Sequence, residues 1–209
     1  MAGKVTALKY QKKNRNRVSV YLDGRFAFGL PDLVAAQLKT GQQLSDADIL
    51  RLQREGSAET AYSRSLDYLS YRPRSRAEVQ TYLEKRGFSE DEIEEVTARL
   101  ERAGLLDDEA FARYWVENRE QFRPRGLRAL RYELRNKGVS DRIIEQAVAE
   151  VDVSDSAYRS ARKKARQLGE ADQQTFYRKL VEYLARRGFD YEVAREVTDR
   201  HWAELQADH

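Results

Sequence analysis

The stretch RPRGLRALRYELRNKG, residues 123–138, places side chains that can hold a phosphate at helical spacing. Arg128, Arg131 and Arg135 stand at i, i+3 and i+7, each one residue after Leu127, Leu130 and Leu134. On a helix that offset turns the arginines roughly 100° from the leucines, so a leucine face is buried and an arginine face meets solvent. Arg123 and Arg125 stand where this helix begins. A row of guanidinium groups suits phosphates or a carboxylate-rich protein surface, because the planar fork donates to both. The set Arg159, Arg162, Lys163 and Arg166 repeats the theme in RSARKKARQ. The plain competing reading is that both rows are solvated faces.

Catalysis has little to draw on. The chain has no cysteine, and its two histidines, His201 and His209, fall in the last nine residues. It shows no glycine-rich phosphate loop, no metal-ligand spacing and no nucleophile beside a base. The acids of SEDEIEEV, residues 89–96, fit the first turn of a helix, where the dipole favours carboxylates, better than a metal site. A non-enzymatic protein without metal or cofactor is expected. Among the aromatics, Phe111 and Trp115 are spaced i, i+4 and read as core, while Tyr114 points elsewhere.

Charge is unevenly laid out. The net charge of the 209 residues is +3. Residues 1–30 carry seven Lys/Arg against Asp23 alone, and residues 57–108 carry eight basic against twelve acidic residues. Basic clusters within a modest total point to local contacts with an anionic partner. No apolar run approaches the roughly 20 residues of a membrane span. The opening MAGKVTALKYQKKNRNR lacks an apolar signal core. A cytoplasmic protein with no membrane contact is expected.

The elements that must carry these residues fall into two kinds. VSVYLDGRFAFGL alternates around Asp-Gly and predicts a hairpin, with KVTALKY pairing across QKKNRNR. LPDLVAAQL predicts a short helix closed by Gly41, and LSDADILRLQREG a second one, capped at Ser45 or Asp46 and ended by Gly56. Beyond Gly56 everything reads as helix, in a repeated register. Gly87, Gly138 and Gly188 lie 51 and 50 residues apart. Leu83, Leu134 and Leu184 stand four residues before them, and Val79, Leu130 and Leu180 eight before. Three copies of one register predict tandem three-helix units. Each glycine is expected at positive φ, closing a second helix, and the third helix restarts at a cap such as Ser89 or Ser140 with Asp141 behind it. The predicted organisation is a strand-rich extension with short helices over 1–56 and repeats over 57–106, 107–153 and 154–209. The fold is mainly α, an elongated curved array.

LLDDEAFARYWVENR followed by GLRALRYELRNKGV resembles the signature of the RecX family, bacterial regulators of the RecA recombinase. Asp107, Asp108, Phe111, Ala112, Arg119, Gly126, Glu133, Leu134, Lys137 and Gly138 carry the pattern. SRAEVQTYLEKRGF is similar to the family's first unit, and VYLDGRFAFGL to the strand-rich extension of its longer members. The third unit departs: no RPR precedes its second helix, and Gln174 stands where Pro73 and Pro124 stand in the others. The resemblance implies a groove-binding regulator of the RecA filament on single-stranded DNA that reduces ATP hydrolysis and strand exchange. It also implies DNA binding, to single strands and to duplex. The residues expected to meet partner or nucleic acid are Arg72 and Arg74 of the first RPR, Arg119, Arg123 and Arg125, then Arg128, Arg131, Arg135 and Lys137. Arg162, Lys163 and Arg166 complete the set. A monomer is expected. One alternative is a helical DNA-binding module acting without RecA, although EDEIEEV sets acid where a recognition helix would meet phosphate. An RNA-binding helical repeat is the other, less well supported for want of a per-repeat polar code.

Overall fold

The structure, a computed structural model, describes residues 2–12 and 14–207; Lys13 and His209 lie outside them. The chain divides into two compact units, Met1–Arg72 with Val79–Leu106, and Pro73–Glu78 with Asp107–His209.

The first unit opens with strands β1 (Gly3–Gln11), β2 (Asn14–Leu22) and β3 (Arg25–Pro31), then a short helix α1 (Asp32–Ala35) and strand β4 (Gln43–Leu44). They form an antiparallel sheet in the order β3-β2-β1-β4. Asp23 and Gly24 both take positive φ, at 47° and 82°, as the predicted tight hairpin requires. The second strand starts earlier than its apolar alternation suggests, because the polar NRNR continues the pairing. One sheet face supplies Val5, Val18, Val20, Phe28 and Leu30 to a core shared with Val34, Leu38, Ile49 and Leu52. Gly41 turns the chain at φ 95°.

Helix α2 (Asp46–Ser70) starts at a capping box between Ser45 and Asp48. It does not end at Gly56 as its sequence suggests; it runs on through 25 residues. Gly56 is buried inside it, and a Cβ there would stand 2.8 Å from Leu30 Cδ2. The glycine serves a close approach of helix to strand, not a stop. The second half of α2 then packs with α3 (Arg76–Glu84) and α4 (Glu90–Arg102) around Ala61, Val79, Leu83, Val96 and Leu100. Ser89 and Glu92 form the capping box of α4.

The second unit holds the two further repeats. Helices α5 (Asp108–Phe122), α6 (Leu127–Arg135) and α7 (Asp141–Val148) enclose Phe111, Val116, Leu130, Leu134 and Ile144. Helices α8 (Val153–Gln167), α9 (Gln173–Arg186) and α10 (Tyr191–Ala207) enclose Phe176, Leu180, Leu184, Phe189 and Val197. The leucine register is therefore the core register. Ser140 is the N-cap of α7, but its side chain makes no capping bond, unlike Ser89. Phe111 is buried, Trp115 half-buried and Tyr114 exposed.

Gly87, Gly138 and Gly188 have φ 80°, 74° and 89°, each closing a second helix. In the second unit these turns do more than stop a helix. Ser75 Oγ donates to the carbonyl of Lys137 at 2.5 Å, and Ala77 lies so close that a Cβ on Gly138 would stand 2.3 Å from its own. In the same way Gly126 N–H donates to the carbonyl of Arg187 at 3.0 Å, and a Cβ on Gly188 would stand 2.5 Å from that of Ala129. The start of one repeat's second helix is seated on the glycine turn of the next. The turn's otherwise unpaired carbonyl meets a helix start, where donors are in excess.

Candidate partner-binding surface

The arginines of the second repeat divide into those with internal partners and those without. Glu133, on α6, accepts from Trp115 Nε1 at 2.9 Å and from Arg119 Nε at 2.7 Å, both from α5. Arg125 adds its charge 3.8 Å away. The Arg119 guanidinium lies over the Trp115 ring, 4.5 Å from its centre. Lys137 donates to Glu78 at 2.7 Å and also faces Trp115. All five charged groups are partly buried, where an uncompensated charge is costly. Arg119, Arg125 and Lys137 are therefore held by the packing of α5 on α6 and by the Ser75–Lys137 joint. Arg119 and Lys137 are hydrogen-bonded to acids before any ligand arrives, whereas the buried Nε of Arg125 has no hydrogen-bond partner among the described residues. Arg72 and Arg74 are likewise half-buried and engaged within the protein.

The expected solvent stripe on α6 is also divided. Arg131 makes a two-bond pair with Glu145 on α7, both bonds 2.8 Å. That hydrogen bonding raises the Arg131 pKa and lowers that of Glu145. Arg135 donates to Asp141 at 2.6 Å. Arg128 is exposed and, alone of the three, makes no ion pair among the described residues. Arg123, the exposed C-cap of α5, makes none either. The stripe is correct as periodicity, but two of its three members are matched by acids on the following helix.

The row on α8 is different. Arg162, Lys163 and Arg166 are exposed, and with Arg159 and Gln167 they line one open concavity. None of the three makes an ion pair among the described residues. Arg159 instead fixes the row in place. Its Nε donates to Asp155 at 2.6 Å and its Nη2 to Glu120 at 2.7 Å. Ser156 Oγ also donates to Glu120, so the start of α8 is tied to the last turn of α5, whose C-cap is Arg123. The opposite face of α8 consists of Ala157, Ala161 and Ala165, whose small side chains let the helix sit closely on the third-repeat core. Arg123, Arg128, Arg162, Lys163 and Arg166 thus stand exposed on elements of the second unit. Such a set can hold several phosphates or carboxylates.

Two features escaped sequence reasoning. Glu133 as the acceptor for Trp115 and Arg119 was hidden because the partners lie 18 and 14 residues away. Asp172 caps α9, accepting from Thr175 N–H at 2.9 Å, where the other copies carry Ser75 or Gly126. Its position just before a polar QQT run was the available signal. The third repeat lacks the RPR because its second helix starts earlier and is capped by its own aspartate.

Three-helix repeats in tandem, preceded by a small antiparallel sheet and carrying rows of surface cations, define a helical-repeat protein. The chain belongs to the RecX family. Four family models match it: the regulatory protein RecX N-terminal domain over residues 3–45, and the first, second and third RecX three-helix domains over 61–100, 107–148 and 150–198. The regulatory protein RecX of Bacillus subtilis is 33% identical over 202 residues, covering 94% of this chain and 76% of its own. That of Prosthecochloris aestuarii is 40% identical over 145 residues, covering 69% and 95%. A crystal structure of a regulatory protein RecX matches with TM-score 0.75 at 27% identity, over 94% of this chain and 99% of that one. RecX from Lactobacillus salivarius matches at TM-score 0.61 and 26% identity, over 72% and 97%.

Proposed function

We propose that this chain is a non-enzymatic regulator of homologous recombination. It binds the RecA filament on single-stranded DNA, in the filament groove, and lowers its ATPase and strand-exchange activity. It works as a cytoplasmic monomer. The observation that carries this reading is the separation of its cations. Arg119, Arg125, Arg131, Arg135 and Lys137 are balanced within the fold, whereas Arg162, Lys163 and Arg166 share one concavity with no acid paired to them among the described residues. Unpaired cations on rigid helices cost the free protein little and release counterions when they meet an anionic surface. A filament of protein on DNA presents such a surface in repeated form. Tandem repeats suit a repeated partner, since successive units can meet successive subunits.

The deciding experiment is a titration of the chain into RecA with single-stranded DNA, following ATP hydrolysis. A saturable fall in rate at substoichiometric or equal amounts is expected. An unchanged rate, together with direct binding to the same DNA, would favour a DNA-binding module acting without RecA. The first turn of α4, with Glu90, Asp91 and Glu92, already speaks against a helix–turn–helix reader in the first repeat.

A further inference from the structure

The sheet of the first unit has a second face. Val5, Val18, Val20 and Phe28 point to the core under α1 and α2. Register shifts between Val5 and Ala7 of β1, and opposite Val20 and Tyr21 of β2, break strict alternation, so that Lys4, Ala7 and Lys9 of β1 and Ser19 and Tyr21 of β2 lie on the other side, where Tyr21 pairs with Phe26 of β3. Phe26 is 59% exposed. The two rings meet edge to face, with centroids 6.0 Å apart and planes at 78°. The Lys9 ammonium stands 5.1 Å from the centre of the Tyr21 ring. None of the residues of β1, β2 and β3 is acidic, although they include Lys4, Lys9, Arg15, Arg17 and Arg25. Asp23 in the hairpin turn accepts the Lys4 backbone N–H at 3.1 Å.

We propose that this outer sheet face is a separate binding site for single-stranded DNA, with one base stacked on Phe26 and the adjoining phosphates on Lys9 and Lys4. Each part has a reason. An exposed phenylalanine on a strand costs solubility and contributes nothing to the core beneath. Tyr21 braces its edge. The T-shaped pair allows only one ring to lie parallel to a base, and the exposed one is Phe26. Lys9, already over Tyr21, can swing to a phosphate while its stem stays on the ring. A purely apolar protein partner would not call for a cationic rim, and an acidic peptide would not call for the ring. A duplex keeps its base faces stacked inside, out of reach of an aromatic side chain, so the ligand is a single strand. The choice of DNA over RNA rests on the filament reading above; the site itself does not.

The test uses the full chain and no recombinase. Anisotropy of a labelled oligo(dT) is followed at low salt for the wild type and for Phe26→Leu with Tyr21→Leu, which keeps apolar bulk and removes the rings. Losing a stacking platform should weaken binding about 5- to 100-fold. Lys9→Gln should give a smaller loss and a shallower salt dependence. Photocrosslinking of a 5-iodouracil oligonucleotide should place adducts on residues of β2 or β3. Unchanged affinity in the double variant with no crosslink on the sheet overturns the proposal. Equal binding of an oligo(U) overturns the choice of DNA, and equal binding of a duplex overturns the single-strand specificity. The same double variant is then assayed on RecA ATP hydrolysis. If the wild type binds oligonucleotide through the sheet but leaves RecA unaffected, the filament reading fails while the sheet site stands.

Discussion

Gly138 and Gly87 occupy the same position in two repeats but face different surroundings. Both have positive φ, so an alanine at either meets left-handed strain of about 1–2 kcal/mol. Around Gly87 a new Cβ meets open space, whereas at Gly138 it would stand 2.3 Å from Ala77 Cβ. Overpacking of that kind adds roughly 1–3 kcal/mol. Thermal melts of Gly87→Ala and Gly138→Ala should separate them, the second losing several degrees more, at about 2–4 °C per kcal/mol for a chain of this size. Equal losses would mean that the turn conformation alone matters and that the joint with Ser75 and Ala77 is slack. A second residue makes a pH prediction. His201 is buried, stacked on Tyr158 at 4.3 Å, with Nε2 3.2 Å from the Tyr158 carbonyl oxygen. Burial lowers its pKa, and the charges of Arg200 and Arg162 act the same way, against the Tyr158 carbonyl and Glu204. The unfolded chain then binds more protons than the folded one just below the ordinary histidine pKa of about 6.5. The contribution is complete above that pH and is lost as pH falls through the lower folded value. The melting temperature of the wild type should decline between about pH 7 and pH 5, and His201→Asn should flatten that part of the profile.

At the scale of elements, α8 and α6 carry similar arginine rows with different surroundings. Reversing Arg162, Lys163 and Arg166 to glutamate should leave the melting temperature nearly unchanged, since none makes an ion pair among the described residues. It should strongly weaken action on RecA, and if the contacts are to phosphate, the slope of log affinity against log salt should fall by about 2–3. Reversing Arg131 and Arg135 should do the opposite, placing glutamates against Glu145 and Asp141 and lowering stability first. If both sets weaken binding equally with no difference in melting, net charge is what counts and the concavity on α8 has no special place. The contrast also shows what the sequence could reveal. The period of Leu130 and Leu134, or of Ala157, Ala161 and Ala165, is written locally, and the buried faces follow from it. Whether an exposed arginine is free depends on an acid of another helix, as with Arg131 and Glu145 fourteen residues apart, and periodicity carries no trace of that. Gly56 fails for the same reason. A glycine ending a helix and one admitting Leu30 look alike until the strand beside it is known.

For the whole molecule, the test is what happens when the third repeat is removed. Each repeat has its own buried cluster, so a chain cut after Asp152 retains the cores around Leu83 and Leu134 intact. It also loses two ties within the second unit, the Gly126–Arg187 hydrogen bond and the clasp of Ser156 and Arg159 on Glu120. The fragment should therefore fold with full helicity for its length but melt lower, with α5 and α6 exchanging amide protons faster at their newly uncovered ends. Function should suffer out of proportion. If successive repeats meet successive subunits of a filament, each contact after the first is intramolecular, and linkage raises avidity by roughly 10²–10⁴ over one contact alone. Removing a repeat, and with it Arg162, Lys163 and Arg166, should weaken filament binding by a large part of that factor. Binding to a short oligonucleotide without RecA should fall much less, because the sheet face and Arg128 remain. Two titrations of the fragment and the full chain, one on assembled filament and one on oligo(dT), decide the matter. If both weaken by the same factor, the repeats are acting as one continuous DNA-binding surface, and the contact with RecA subunits is not what three copies provide.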